Sequence, residues 1–465
     1  MSYKHSDSNE LIRRFERMLH NKEQVSFPEE SFGNVIEFYT EKGKFKEALK
    51  ACNLALSQYP FSSDFKFNKA QILLYTGNYE EALFIIDSLE NFQPFDLELN
   101  LLKSNLLCSL GKYDEAVEAL HSLQNYYREG QDEIFFNLGV VYKYWGKAEV
   151  AVEYFKKAIL ENIEHEAATF ELTYTLENQK KLGEAVSFYE KIIDDDPYNY
   201  LAWFYLGEIY ERLGQAENAL QAFEYATLIK DDFADAYFGM GTSYMNLHHY
   251  IEARQVFEKV LALEEEADAD VFCHLAATYE KNKEYAQAIM YYQKAIAIDN
   301  RWDEAWFGIG SCFYAQEKWL EAIQNFKKAS QLNPDNPEYF LCLADAEQDF
   351  GSWVSADENY QIAANLDPFR AKIWLNWSYL YYQQNDYSRA IEIIEQGLED
   401  NPENSEMLYR HIAYLMTQGQ FKEAFRYLEL ALSLYYEEHS FLYDFFEDLE
   451  IQKALFKVIQ QYKEM

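Results

Sequence analysis

The chain reads as an all-α solenoid of tandem helix-turn-helix units, closed at each end by an amphipathic helix. Two observations carry that reading. Alanine recurs at Ala48, Ala82, Ala116, Ala151, Ala185, Ala219, Ala253, Ala288, Ala322, Ala356, Ala390 and Ala424, at spacings of 34 residues, or 35 twice. A fixed period of this size marks one supersecondary unit stacked on copies of itself, each burying its apolar face against a neighbour. Proline obeys the same period: six of the eight, Pro60, Pro94, Pro197, Pro334, Pro368 and Pro402, stand twelve residues after one of those alanines. Proline has no N–H and cannot continue a helix, so this position ends the second helix of each unit.

The elements follow in order. Residues 1–28 hold a polar start, MSYKHSDSNE, and then Leu11, Ile12, Phe15, Met18 and Leu19 at helical spacing with Arg13, Arg14 and Arg17 on another face. This is an amphipathic helix suited to cover the open end of a stacked core. Twelve units fill 29–438, starting at 29, 63, 97, 132, 166, 200, 234, 269, 303, 337, 371 and 405. In each, the marked alanine opens the second helix, where a missing side chain allows close approach to the first. The facing position twelve residues earlier is also small in ten units: Ala70, Ser104, Gly139, Thr173, Gly207, Gly241, Ala276, Gly310, Ala344 and Ser378. The exceptions, Ile36 and Ile412, lie in the terminal units, which lack a neighbour on one side. Gly43, Gly77, Gly111, Gly146, Gly214, Gly351 and Gly419 stand at the turn between helices and suit a left-handed cap. Lys180, His248, Lys283, Glu317 and Asn385 replace glycine there, and those turns are expected to be strained or differently shaped. The two extra residues fall in the connections at 126–131 and 264–270. Residues 439–465 carry Phe445, Phe446, Leu449, Ala454, Leu455, Val458, Ile459 and Tyr462, a second capping helix.

Two units spell out a known pattern. Trp203, Leu206, Gly207 and Tyr210 give W-x2-L-G-x2-Y, with Ala219 and Phe223 as A-x3-F; Trp306, Ile309, Gly310, Phe313, Ala322, Phe326 and Pro334 repeat it. This resembles the tetratricopeptide repeat (TPR). The resemblance implies a right-handed superhelix whose first helices line a concave groove, with positions 2, 5, 9 and 12 of each unit facing it.

Position 5 then reads Phe in six units, four of them consecutive: Phe136, Phe170, Phe204 and Phe238, with Phe307 further on. Tyr174, Glu208 and Tyr314 belong to the same helices. A rigid aromatic ladder offers anchors for an extended peptide or partner helix. Packing between adjacent repeats is the alternative explanation of the same stripe. Position 2 is acidic in nine of twelve units, which favours the helix macrodipole and also adds negative potential to the groove. Members of the family that grip a C-terminal carboxylate use Lys at position 5 and Asn at position 9. Here only Asn105 matches, and its own position 5 is Leu101.

Charge narrows the partner. The formal net charge is −38, and the first 50 residues are neutral, so the surplus lies in 51–465. Such a surface repels nucleic acid and anionic lipid. It favours a basic or neutral protein or peptide with apolar anchors, although solubility alone would also account for it. Five dispersed cysteines without a C-x-x-C pair suit a reducing compartment, and no segment is apolar enough for a signal peptide or membrane span, so a cytoplasmic protein is expected. No cofactor, metal or catalytic constellation is expected. GMG at 239–241 and GIG at 308–310 lie inside first helices without a strand or GK[ST], so packing explains them. His248-His249 has no third ligand in register. The expected function is a non-enzymatic scaffold or adaptor. A self-assembling structural protein and an accessory subunit for an enzyme on another chain are the alternatives.

Overall fold

A computed structural model describes residues 11–16, 27–264, 267–445, 457, 459 and 460. The chain divides into two compact units, Met1–Lys230 and Asp231–Met465. In the N-terminal unit, six helix pairs follow one another: Glu29–Glu41 with Phe45–Gln58, Ser63–Tyr75 with Tyr79–Glu90, Leu97–Ser109 with Tyr113–Tyr126, Gln131–Tyr144 with Ala148–Glu161, Glu166–Asn178 with Gly183–Asp195, and Tyr200–Arg212 with Ala216–Ile229. The C-terminal unit holds Ala234–Asn246 with Tyr250–Leu263, Ala269–Lys281 with Tyr285–Ile298, Asp303–Tyr314 with Trp319–Leu332, Pro337–Phe350 with Trp353–Leu366, Ala371–Gln383 with Tyr387–Asp400, and Ser405–Gln418 with Phe421–Leu434. These pairs are numbered below as repeats one to twelve.

All twelve periodic alanines are fully buried. The closeness they permit is measurable at the facing glycines. A Cβ added to Gly139, Gly207, Gly241 or Gly310 would stand 2.5–2.6 Å from the ring of Phe155, Phe223, Phe257 or Phe326 respectively. Each ring belongs to the second helix of the same repeat, so the glycine is a socket for the aromatic of the A-x3-F pair. Gly241 of GMG and Gly310 of GIG are thereby explained by packing, and Gly308 of GIG faces the Tyr292 ring of the preceding repeat, which leaves no room for a Cβ there.

The turns within the repeats share one conformation. Seven glycines take φ between +65° and +88°, and Lys180, His248, Lys283, Glu317 and Asn385 take φ between +57° and +63° at the same place. The bonding is the same too: Gly43 N–H donates to Thr40 O and Lys44 N–H to Tyr39 O, as Lys283 N–H donates to Glu280 O and Glu284 N–H to Tyr279 O. The non-glycine turns therefore keep the shape, and strain alone distinguishes them.

The fifth repeat departs from its neighbours. Thr173 occupies the socket position, and the facing ring is Tyr189, fully buried, whose hydroxyl donates to Thr169 Oγ1 at 3.0 Å. Its second helix starts two residues before the marked alanine, where the other eleven start three before.

At the N-terminal end, residues 11–16 are helical, and Phe15 meets Phe27 and Phe32 at ring separations of 6.0 and 6.3 Å. Met18 and Leu19 of the expected capping helix lie outside the described residues. At the other end Tyr436–Phe445 is a 3-10 helix, not the start of an α-helix. Its sequence, YEEHSFLYDF, is rich in aromatic, Ser, His and Asp residues of modest helix propensity, which suits the short tight form. Leu442 and Ile459 are buried in the same core as Trp374, Tyr409 and Tyr414. Phe446, Leu449, Ala454, Leu455, Val458 and Tyr462 lie outside the described residues. Gly130, left-handed at φ +72°, takes up the first extra residue; Glu265 and Glu266 in the second connection lie outside the described residues.

Candidate interaction surface on the first helices

The predicted ladder residues fall on the first helices, Phe136, Phe170, Tyr174, Phe204 and Glu208 in the N-terminal unit and Phe238, Phe307 and Tyr314 in the C-terminal one. Their surroundings differ. Phe136, Phe204, Phe238 and Phe307 are half-buried, each against the ring held in the socket of its own repeat: Phe155 at 6.0 Å, Phe223 at 5.8 Å, Phe257 at 5.6 Å and Phe326 at 5.3 Å. Three also reach the next repeat, Phe136 to His165 at 4.9 Å, Phe238 to His274 at 5.0 Å and Phe307 to Tyr339 at 4.8 Å. Tyr314 is half-buried, packs edge-on to Trp319 and donates its hydroxyl to Asp349 Oδ2 at 2.7 Å.

Phe170 is different. It is 57% exposed and does not touch Tyr189, the ring equivalent to those above. Tyr189 is instead tied to Thr169 and packed against Tyr205 of the next repeat at 5.7 Å. Tyr189 is thus engaged elsewhere, and the ring partner of Phe170 lies on its own helix. Phe170 stacks on Tyr174, one turn along, at 6.1 Å and 9° between planes, and Tyr174 is 45% exposed. This parallel pair is an open aromatic platform on a face where the equivalent rings are engaged in packing.

Charged residues frame the platform. Lys143, on the first helix of repeat four, pairs with Glu171 at 2.5 Å and holds its ammonium 5.0 Å above the Tyr174 ring. Arg212, from repeat six, pairs with Glu177 at 3.1 Å. Glu208 is exposed one helix further along. Sequence reasoning missed Lys143 and Glu171, whose pairing crosses 28 residues. It also placed Phe170 on a par with its neighbours. The available signal was the joint departure at Thr173 and Tyr189 from the Gly and Phe of the adjoining repeats.

The arrangement offers stacking area and charge, not bond chemistry. Burial pushes the Cys52, Cys273 and Cys312 thiols up to about 12, which disfavours the nucleophilic thiolate. Among the described residues, no group of three or more His, Cys, Asp or Glu is placed to hold a metal ion.

Tetratricopeptide repeat family models match residues 39–106, 132–162, 188–221, 234–267, 269–301 and 375–438, and a further TPR repeat model matches 310–349. The chain is a tetratricopeptide repeat protein. Similar to this TPR chain are Superkiller protein 3 of Schizosaccharomyces pombe, 23% identical over 52% of this chain and 22% of that one, and Hsp70-Hsp90 organizing protein 3 of Arabidopsis thaliana, 24% identical over 50% and 42%. The TPR chain thus spans less than half the length of either relative. The crystal structure of the APC/C hetero-tetramer Cut9-Hcn1 aligns with 83% of this chain and 96% of that one, at 15% identity and a TM-score of 0.40.

Proposed function

We propose that this chain is a non-catalytic scaffold that binds a protein segment or peptide on the first-helix face of its N-terminal unit, with Phe170 and Tyr174 as anchors. The observation that carries the reading is the exposure of that stacked pair. Exposed rigid rings supply large contact area at low conformational cost, the property that makes aromatics dominate interfaces. Phe136 and Phe204 flank the pair from the adjoining repeats with their partly exposed edges, and Glu208 adds negative charge. In the C-terminal unit, Phe238, Phe307 and Tyr314 are proposed as weaker contacts, since each is already engaged in packing.

The ligand is basic or neutral with apolar anchors. The net charge of −38 supports that sign, because opposite potentials speed encounter and like potentials oppose it. The name of one relative, an organizing protein for Hsp70 and Hsp90, supports protein binding as the general role. A cytoplasmic setting is supported by five free cysteines, which suit a reducing compartment. Among the described residues no helix is long and apolar enough to cross a membrane.

The test is the double variant Phe170→Ala with Tyr174→Ala. Partners captured by the wild-type chain and identified by mass spectrometry are expected to bind the variant at least tenfold more weakly, with the urea midpoint unchanged. Equal affinity in the variant overturns the site. A lowered midpoint shows that the pair is packing.

A further inference from the structure

We infer that the loops joining repeats one to four form a second docking surface, separate from the first-helix face, for a basic segment with apolar anchors. In a stack of helix pairs the connections between repeats all lie on one edge. Along that edge, Phe61 follows the first repeat, Phe92 and Phe95 follow the second, and Tyr126 ends the third. Phe61 is 90% and Phe92 85% exposed, and Phe95 and Tyr126 are exposed as well. Single exposed rings are ordinary on a protein surface. Four at three successive connections make a row of exposed apolar rings, and exposed apolar surface beyond the scattered single residue marks an interaction site.

The patch is held in place. Phe95 and Tyr126 stack across two loops at 4.3 Å and 7°. The Tyr127 hydroxyl donates to Phe95 O at 2.6 Å, and the Tyr59 hydroxyl donates to Phe27 O at 2.8 Å, so a neighbouring tyrosine anchors each end of the edge. Phe61 and Phe92 are left standing on a supported backbone, which lowers the ordering cost of binding.

Charge selects the occupant. Besides Glu90, which Lys103 neutralises at 2.5 Å, the segments 57–66, 90–98 and 124–133 carry Asp64, Asp96, Glu98, Glu129, Asp132 and Glu133 against Lys66 and Arg128. Asp64, Glu98 and Glu129 are exposed beside the rings. This acidity opposes an anionic lipid surface and a second copy of a chain with net charge −38. It complements a segment in which Lys or Arg alternates with Leu, Ile or Met.

The experiment uses the full chain with Phe170→Ala and Tyr174→Ala already in place, so that first-helix anchors do not contribute. The probe is a fluorescein-labelled synthetic peptide of alternating Lys and Leu, with a Lys–Gly peptide as control, read by anisotropy at 0.15 M salt, where the Debye length is about 8 Å. Adding Phe61→Ser, Phe92→Ser and Phe95→Ser is expected to weaken the Lys–Leu peptide at least tenfold and the Lys–Gly peptide less than twofold. Phe92→Ser alone, at a ring without packing partners, guards against misfolding and is expected to weaken the Lys–Leu peptide about threefold. Unchanged Lys–Leu affinity in the triple variant overturns the proposal and leaves the first-helix site untouched. So does a dimer in sedimentation, or attachment to phosphatidylcholine vesicles, that the triple variant abolishes.

Discussion

Replacing Gly207 by alanine tests the packing that organises the first-helix face. The added Cβ would lie 2.6, 2.7 and 2.8 Å from three ring atoms of Phe223. Carbon atoms rest at roughly 3.5–4.0 Å, so the ring must retreat by about 1 Å. Phe223 is fully buried and packs against Phe204 at 5.8 Å, so the ring can move only by displacing its neighbours. Overpacking of this kind costs about 1–3 kcal/mol. Gly to Ala inside a helix returns about 1 kcal/mol of propensity. The expected net loss is about 1 kcal/mol, the middle of that range less the gain in propensity. Gly33 supplies the control: it is also inside a first helix, but nothing lies within 4 Å of its added Cβ. Gly33→Ala is therefore expected to gain about 0.5–1 kcal/mol. Urea unfolding followed by circular dichroism measures both, and the two variants should bracket the wild type by about 1.5–2 kcal/mol in total. Wild-type or higher stability in Gly207→Ala would refute the socket argument, and with it the explanation of why Phe204 is engaged and Phe170 free.

Two further outcomes are expected. Lys180 and Lys283 hold φ of +57° and +63°, a conformation that costs an ordinary residue about 1–2 kcal/mol. Lys180→Gly or Lys283→Gly should each raise stability by about 0.5 kcal/mol net, after the greater freedom of the unfolded glycine chain is counted; a lower thermal midpoint would contradict a strained turn. Burial pushes the His411 imidazole down to about 4 from its ordinary 6.5. The folded state thus refuses a proton that the unfolded state accepts, so this contribution is complete above pH 6.5 and is lost as pH falls toward 4. Between pH 7 and pH 5 the loss is at most about 2 kcal/mol, reduced in part by the half-exposed Glu395 carboxylate 3.1 Å from Nε2. Urea midpoints at the two pH values should diverge in the wild type and converge in His411→Phe.

The repeat itself was legible because a close helix–helix contact admits only a small residue, alanine on the second helix in all twelve units, and a requirement that strict leaves a period in the sequence. The fully buried Ala219 and the socket at Gly207 are its two sides. The platform was only half legible. Phe170 occupies the same position as Phe136 and Phe204, and its freedom depends on what Thr173 and Tyr189 do together across the helix pair. Periodicity records which residue stands at a position, not whether its partner ring is occupied elsewhere. Lys143 and Glu171 escaped for a related reason, since their pairing joins two repeats and follows no motif. The C-terminal cap fell short as a helix at Tyr436–Phe445, where apolar spacing was right but the backbone tightened to 3-10.

The sockets have a consequence for how such a chain changes over generations. Gly139 with Phe155, Gly207 with Phe223, Gly241 with Phe257 and Gly310 with Phe326 each close within a single repeat, whereas Gly308 of repeat nine meets Tyr292 of repeat eight, a fit shared across a boundary. A duplication or loss of a whole period of the first kind carries its own lock and key with it, and one that parts Gly308 from Tyr292 does not. Array length is then open to change at the self-contained repeats, while a slip of even one residue inside a period is not tolerated. Lineages can lengthen or shorten the stack by recombination, but they can recut a surface such as the Phe170 platform only by point changes at paired positions.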